Sequence, residues 1–325
     1  MFGFHAASRA AACALFALAA STAPLAAQTF PDKEIRIYCG FAPGGGADVF
    51  VRFLAEKLRP LAGKPVLVEN KTGAGGNLAV EAASHAKPDG HTIVVSSGGP
   101  VSYNVHLYKR LGYDPIKDLT PVSTVVSFPF VLVVDANKPV RTVAELVAYM
   151  KAKDKPGSYG AVGGTPIVLS EMFKYRAKFD AVQVIYRTAV ASMNDLTSGS
   201  VDFMFMDPTT ALAQVKEGRL RALAVSTPER APTAPDLPTM LELGYEGVDR
   251  MSWFAALLPA GTPQPIVNQW NAWMVQILSS DDAKTFFHNA GAETFPGTPQ
   301  ALTKLQQDEI DKWAALVKLA NMEAQ

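Results

Sequence analysis

The stretch Ile35-Arg36-Ile37-Tyr38-Cys39-Gly40-Phe41-Ala42-Pro43-Gly44-Gly45-Gly46-Ala47-Asp48 decides how the chain is read. Ile35, Ile37 and Cys39 recur with period two, as in a strand. A glycine-rich turn follows, and then Phe50, Leu54, Leu58 and Leu61 mark one helical face that stops at Gly63. Strand, tight turn and helix form the unit from which parallel sheets are assembled. The cycle repeats with Val66 to Val68, the turn Gly73-Ala74-Gly75-Gly76 and a helix from Asn77 to Ala86. It closes at Asp89-Gly90 before the run Thr92 to Ser96, so three parallel strands are expected here.

A second series opens at Phe130 to Val134 and continues into a helix started by the capping box Thr142 to Glu145. The strand Ser158 to Val162 runs into Gly163-Gly164-Thr165-Pro166, where Thr165 is expected as N-cap and Pro166 as first helical residue. Units at Val182 to Tyr186, Val201 to Met206 and Leu220 to Ser226 complete a second α/β set. The run Trp253 to Leu258, followed by amphipathic helices through Trp270 and Trp313 and by no further strand, reads as a return to the first set. Crossings near Val126 to Phe130 and Met251 to Phe254 predict a two-strand hinge. The expected organisation is residues 28–126 with 252–325 as one lobe and 127–251 as the other.

With 325 residues the chain suits two lobes rather than one core. Lys plus Arg and Asp plus Glu are equal at 30 each, so no positive field exists to gather nucleic acid. The first 27 residues carry Arg9, an alanine- and leucine-rich run through Ala20, and Ala23-Pro24-Leu25-Ala26-Ala27 before Gln28. They read as an export signal cleaved after Ala27, which predicts a periplasmic protein. Cleavage leaves Cys39 as the sole cysteine, so no internal disulfide can form. No later stretch is apolar enough to span a bilayer, and a soluble monomer is expected.

The glycines Gly44 to Gly46 complete neither G-x-G-x-x-G nor a phosphate loop ending in Lys-Ser or Lys-Thr. They can expose backbone N–H groups at a helix start, where the helix dipole favours an anion. Asp48 then reads as a first-turn cap. Gly163 to Pro166 offers the same chemistry in the other lobe, so two helix starts facing across a cleft could hold a carboxylate without an arginine. Asp207 ends a strand and so opens onto that crevice, whereas Asp202 at the other end reads as strand-end capping. H-E-x-x-H, C-x-x-C and G-x-S-x-G are all missing, and His85, His91, His106 and His288 are scattered singly, so neither a metal nor a cofactor is expected. A binding protein without chemistry is the leading reading. The rivals are a secreted hydrolase or isomerase using Asp207 as base, and a sensing receptor of the same fold.

Phe41 to Asp48, Glu69-Asn70-Lys71-Thr72-Gly73-Ala74-Gly75-Gly76-Asn77 and Lys87-Pro88-Asp89-Gly90 resemble the Bug family, the receptors of tripartite tricarboxylate transporters. Tyr113 to Asp118, Gly218 to Val225 and Pro259 to Pro263 extend the resemblance over the chain beyond the leader. It implies a two-lobed type II periplasmic-binding fold, a Venus flytrap that closes on a small carboxylate and delivers it to a two-component permease. It also implies that backbone amides, water and hydroxyls of two loops grip the ligand. Carried onto this chain, the first loop is Phe41, Ala42, Pro43, Gly44, Gly45, Gly46, Ala47 and Asp48, with Ser96 and Ser97 at a neighbouring strand end. The second loop, usually A-G-x-G-S-x-x-H, stands here as Ala161-Val162-Gly163-Gly164-Thr165-Pro166-Ile167-Val168, with Thr165 in place of serine and no histidine. The usual Y-K-G stands as Tyr186-Arg187-Thr188. Pro166, Ile167 and Val168, with Phe128, Phe130 and Val190 in nearby turns, predict a ligand with an acid end and an apolar body. An aromatic carboxylate or a longer dicarboxylate is expected rather than citrate or an amino acid.

Overall fold

The structure, a computed structural model, describes residues 30–324; the export signal read from residues 1–27 lies outside the described residues. Strand β1 (Ile35–Cys39) buries Ile35, Ile37 and Cys39, the three residues of its period-two pattern. The chain then turns into helix α1 (Gly46–Ala62), which lays Phe50, Leu54 and Leu58 on the core and ends at Gly63 in the left-handed conformation, φ 62°. Strand β2 (Val66–Asn70), helix α2 (Asn77–Ser84) and strand β3 (Thr92–Ser97) follow. Both β2 and β3 pair with β1 in parallel, so the three expected parallel strands are present. A short helix α3 (Gly98–Val101) leads to the long strand β4 (Leu119–Phe128).

Beyond Phe128 the chain enters another sheet. Strand β5 (Val131–Asp135), helix α4 (Val143–Lys151), strand β6 (Gly157–Ala161), helix α5 (Gly164–Ala177) and strand β7 (Ala181–Ile185) come first. Helix α6 (Ala189–Thr197), strand β8 (Phe203–Met206), helix α7 (Pro208–Lys216) and strand β9 (Leu220–Val225) complete it, in the order β7-β6-β8-β5-β9. The start of α5 differs from expectation. Gly163, not Thr165, is its N-cap, at φ 88°, a value favouring glycine, and the Thr165 hydroxyl is taken instead by the phenol of Tyr103.

Strand β10 (Ser252–Pro259) returns to the first sheet, antiparallel to both β4 and β3. Helices α8 (Gln264–Leu278) and α9 (Asp281–Asn289), strand β11 (Glu293–Thr294) and helix α10 (Pro299–Leu319) close the chain. The first sheet has the order β11-β4-β10-β3-β1-β2. No strand was expected after β10, but β11 pairs two residues with Ser127 and Val126, too few to leave a periodic pattern in the sequence. The result is two α/β lobes joined by β4 and β10. Ser226 ties the crossings together: its hydroxyl accepts from the N–H of Phe130 and donates to the carbonyl of Arg250. Helix α10 packs on β4 and α5, with Trp313 stacked on Tyr103 at 4.0 Å between ring centres. Among the described residues, no helix is long and apolar enough to cross a membrane.

The loop between β1 and α1 is held by one buried carboxylate. Asp48 is the third residue of α1, yet it does not cap that helix in the usual sense, because the N-cap Gly45 has no side chain. Its Oδ2 accepts from the N–H of Gly44 at 2.9 Å and from Arg52 Nε at 2.8 Å, and its Oδ1 accepts from Asn70 Nδ2 at 2.8 Å. Asn70 also donates to the carbonyl of Phe41, so both ends of the loop are anchored to β2. Burial alone would raise the Asp48 carboxyl, but the bonds from Arg52, Gly44 and Asn70 outweigh it and hold the group below its ordinary 3.8. A carboxyl lowered in the native state stabilises above its unfolded pKa, and the contribution fades as pH falls through the native value. Asp48→Ala is therefore expected to lose about 1–3 kcal/mol in urea unfolding near pH 7. The gap between variant and wild type should narrow towards about pH 2; a gap that stays constant would exclude the ionised pin.

Candidate ligand cleft

Between the lobes lies a cavity of about 600 Å³. One wall is the loop and first turn of α1, Phe41 to Ala47, and the other is the start of α5, Val162 to Pro166, with the starts of α6 and α7 beside it. The floor is aromatic and lies at the hinge. Phe254 of β10 stacks on Phe41 with ring centres 6.0 Å apart and meets Phe128 of β4 edge-on at 5.5 Å. Phe128 packs in turn against Phe130 and Phe50.

The walls touch through bare backbone. A Cβ added to Gly46 would sit 2.6 Å from Asp207 Oδ1 and 3.2 Å from Thr209 Oγ1, and one on Gly164 would sit 2.8 Å from Asn104 Oδ1. One on Gly75 would lie 3.5 Å from the Cα of Gly163. Each pair joins one lobe to the other, so the lobes stand closed; at Gly46 and Gly164 glycine is what permits the approach, whereas a Cβ on Gly75 would meet Gly163 at an ordinary van der Waals distance.

Donors can be counted along the walls. Gly44 gives its N–H to Asp48 and Gly45 gives its own to the carbonyl of Ala42. The next three N–H groups, of Gly46, Ala47 and Asp48, are the unpaired donors that every helix start leaves. On the opposite wall Gly164 and Thr165 leave two more, while Pro166 has none. A carboxylate entering the cleft meets donors from two helix starts, each with its positive dipole end inward.

Of the residues singled out from the sequence, Phe41 to Ala47, Ser97, Gly163 to Pro166 and Asp207 line the cavity. Asp48 lies behind its loop as the pin described above. Ser96 is buried in β3 and contributes nothing to the wall. Tyr186 turns away, its hydroxyl donating to Asp195 at 2.6 Å, and leaves the wall to Arg187 and Thr188. Ile167 and Val168 do not face the cleft either; both are core residues of the second lobe, and only Pro166, Phe128, Phe130 and Val190 of the predicted apolar set reach the cavity. Asp202 sits away from the cavity, bound by Lys138, Lys153 and the N–H of Ser158. Sequence reasoning missed Met204 to Met206 of β8, Thr209 and Thr210 of α7, and Ser252. The run Phe203 to Met206 is buried throughout, so no alternation marked its cleft side. The position of Asp207 at a strand end was a signal for Thr209 and Thr210 as well.

Two ionisable side chains line the cavity, Arg187 and Asp207. Arg187 is exposed and has no carboxylate partner among the described residues. Asp207 caps α7 by accepting from the N–H of Thr210 at 2.9 Å, and burial raises its carboxyl above the ordinary 3.8 despite that bond. The lining holds no histidine, lysine, cysteine, glutamate or tyrosine, so Asp207 has no partner for proton transfer or for activating a nucleophile. Among the described residues no group of three or more His, Cys, Asp or Glu side chains is arranged for a metal.

Residues 50–322 match the family model described as "Tripartite tricarboxylate transporter family receptor". BugT of Bordetella pertussis is 33% identical over 307 residues, covering 93% of this chain and 94% of BugT. The solved structure of R. palustris Rpa4515 with adipate superposes with a TM-score of 0.87 at 30% identity, covering 91% of this chain and all of that one. The periplasmic binding protein BugD superposes with a TM-score of 0.86 at 32% identity over the same share of this chain. With its two-lobed fold and closed cleft, the chain belongs to the tripartite tricarboxylate transporter receptors, the TctC or Bug family, which are solute-binding proteins and not enzymes.

Proposed function

We propose that this receptor captures, in the periplasm, a carboxylate with an apolar body, either an aromatic carboxylate or a longer dicarboxylate, and delivers it to a two-component permease. The carrying observation is the pairing of two helix starts with free N–H groups over a floor of phenylalanines. The leader read in residues 1–27 and the periplasmic setting of BugD support the compartment, and family membership supports the permease. Rpa4515 was solved with adipate, a six-carbon diacid with a purely methylene middle.

Magnitudes favour that ligand shape. Burying about 100 Å² of ligand hydrocarbon contributes about 2.5 kcal/mol, whereas each polar head buried without partners costs about 1–3 kcal/mol. The helix starts can satisfy one carboxylate, and Arg187 on the exposed side of the cavity is a free partner for a second. Citrate would bring a third carboxylate and a hydroxyl over phenylalanine rings. A diacid long enough to reach from the helix starts to Arg187 meets neither cost.

Two measurements test this reading. In a thermal-shift panel of benzoate, terephthalate, adipate, succinate, citrate and glutamate, adipate or terephthalate should stabilise most; a ligand at about 100 times its dissociation constant adds about 2.7 kcal/mol. Stabilisation by citrate or glutamate alone would sink the apolar-body reading. Arg187→Ala should weaken the diacids about two- to fivefold and leave benzoate where it was, as for an exposed ion pair. The second measurement concerns closure: Gly46→Ala should fold normally yet bind more weakly, by roughly five- to 150-fold, because the new methyl meets Asp207 only when the lobes close. Wild-type affinity in that variant would place the clamp elsewhere.

A further inference from the structure

Asp207 raises a difficulty for a carboxylate receptor. It brings a carboxyl group into the cavity at the point where the free N–H groups of α1 begin, with Oδ1 2.6 Å from the Cβ position of Gly46. The ligand's own carboxylate is drawn to the same donors. Two carboxylates sharing one site with no cation between them do not both stay ionised.

The surroundings show which of them gives way. On α1, Asp48 faces its own loop and is paired with Arg52, so neither charge is free for Asp207. On α7 the neighbours are the uncharged Thr209, Thr210 and Gln214. The turn after α9 packs Gly291 on Pro208 and receives the Thr209 hydroxyl on the carbonyl of Ala290. The titratable side chains flanking that turn, His288 and Glu293, face each other at 3.1 Å. Arg187, at the start of α6, is exposed to solvent. No cation is paired with Asp207 among the described residues. Asp207 accepts the N–H of Thr210, which favours its ionised form, but burial outweighs that bond; the ligand's carboxylate meets free N–H donors of two helix starts, which favour its ionised form more strongly.

Granted that the cleft binds a carboxylate, as proposed above, we propose that Asp207 takes part as a neutral acid: its O–H donates to one oxygen of the ligand carboxylate while the N–H groups of Gly46 and Ala47 hold the other. The ligand enters ionised, Asp207 takes one proton from solvent, and the closed complex holds one negative charge shared across the O–H···O bond. Binding a monocarboxylate end then consumes one proton wherever free Asp207 is ionised. The upward shift that burial imposes on this carboxyl works in the same direction. The arrangement also discriminates against amino acids, whose ammonium group would need Asp207 ionised.

The test is isothermal titration calorimetry of the mature protein with adipate and with benzoate between about pH 5.5 and pH 8.5, in buffers of different ionisation enthalpy. That range lies above the titration of benzoate; adipate's second carboxyl titrates at its lower end, so for adipate the uptake is read from about pH 6.5 upward. Uptake approaching one proton is expected, with affinity falling by up to tenfold per pH unit once free Asp207 ionises. Asp207→Asn keeps a donor and an acceptor of the same shape but cannot titrate; it should lose the uptake and the slope and bind at least tenfold tighter than wild type at pH 8.5. Flat affinity and zero uptake in the wild type overturn the proposal when NMR of the Asp207 carboxyl shows it ionised within this range in the free protein, as does an ionised Asp207 in the complex or Asp207→Asn binding more weakly than wild type at pH 8.5. Glutamate binding that strengthens with pH overturns it too, since that marks Asp207 as an ammonium acceptor. If no carboxylate in the panel binds even at pH 5.5, the receptor reading itself fails and this proposal fails with it.

Discussion

The approach of the two lobes through bare backbone is the constraint on which the rest of the molecule depends. At Gly46 and Gly164 the space a side chain would need is already taken by atoms of the facing lobe. This does two things at once. It lets the lobes shut with little gap, and it leaves the first N–H groups of α1 and α5 uncovered by their own side chains. Helix starts with bulky residues would have screened the donors and held the walls apart. The sheets, hinge strands and C-terminal helix can be understood as the frame that brings these glycines together.

That frame is rigid where it must be. Asp48 fixes the loop ahead of α1 by joining Gly44, Arg52 and Asn70, so the donors behind the loop point in one direction before any ligand arrives. Donors already oriented need no further ordering on binding, which lowers its entropic cost. Ser226 links the two crossings through single hydrogen bonds, and β4 and β10 run side by side up to the point where they leave the first sheet. Two adjacent strands leave few backbone dihedrals to absorb a rigid-body movement, which is the geometry of hinge closure. The phenylalanines of that region serve two roles, packing the hinge and paving the cleft floor.

The charged residues divide by the same logic. Asp202 is buried in the second lobe with Lys138 and Lys153, and Asp48 with Arg52, so each carries a compensating partner and acts on the fold. Arg187 and Asp207 line the cleft without a charged partner among the described residues. A charge left unpaired at a cavity wall is a poor stabiliser of the fold and is free to respond to a ligand. In this molecule the compensated and uncompensated carboxylates shift in opposite directions for that reason: Asp48 and Asp202 are lowered, Asp207 is raised.

The sequence by itself determined the class of fold, the start of α1 and the hinge, because each is written in short-range patterns, while it set the start of α5 two residues too late. Period two in Ile35, Ile37 and Cys39, a helical face from Phe50 to Leu61, and glycines between them follow from local backbone geometry. The position of Asp207 at a strand end was enough to aim it at the crevice. Tertiary structure alone decided which side of each element the cleft would take. Asp48 and Asp207 are both acidic residues near helix starts, yet one turns inward to Arg52 and Asn70 and the other into the cavity. Tyr186 turns to Asp195 and leaves its place to Arg187, and Ile167 and Val168 go to the core while Pro166 meets the cleft. Strands buried on both faces read as uniform apolar runs, and a side chain's partner can lie a hundred residues away. Only the packing of one lobe against the other supplies that information.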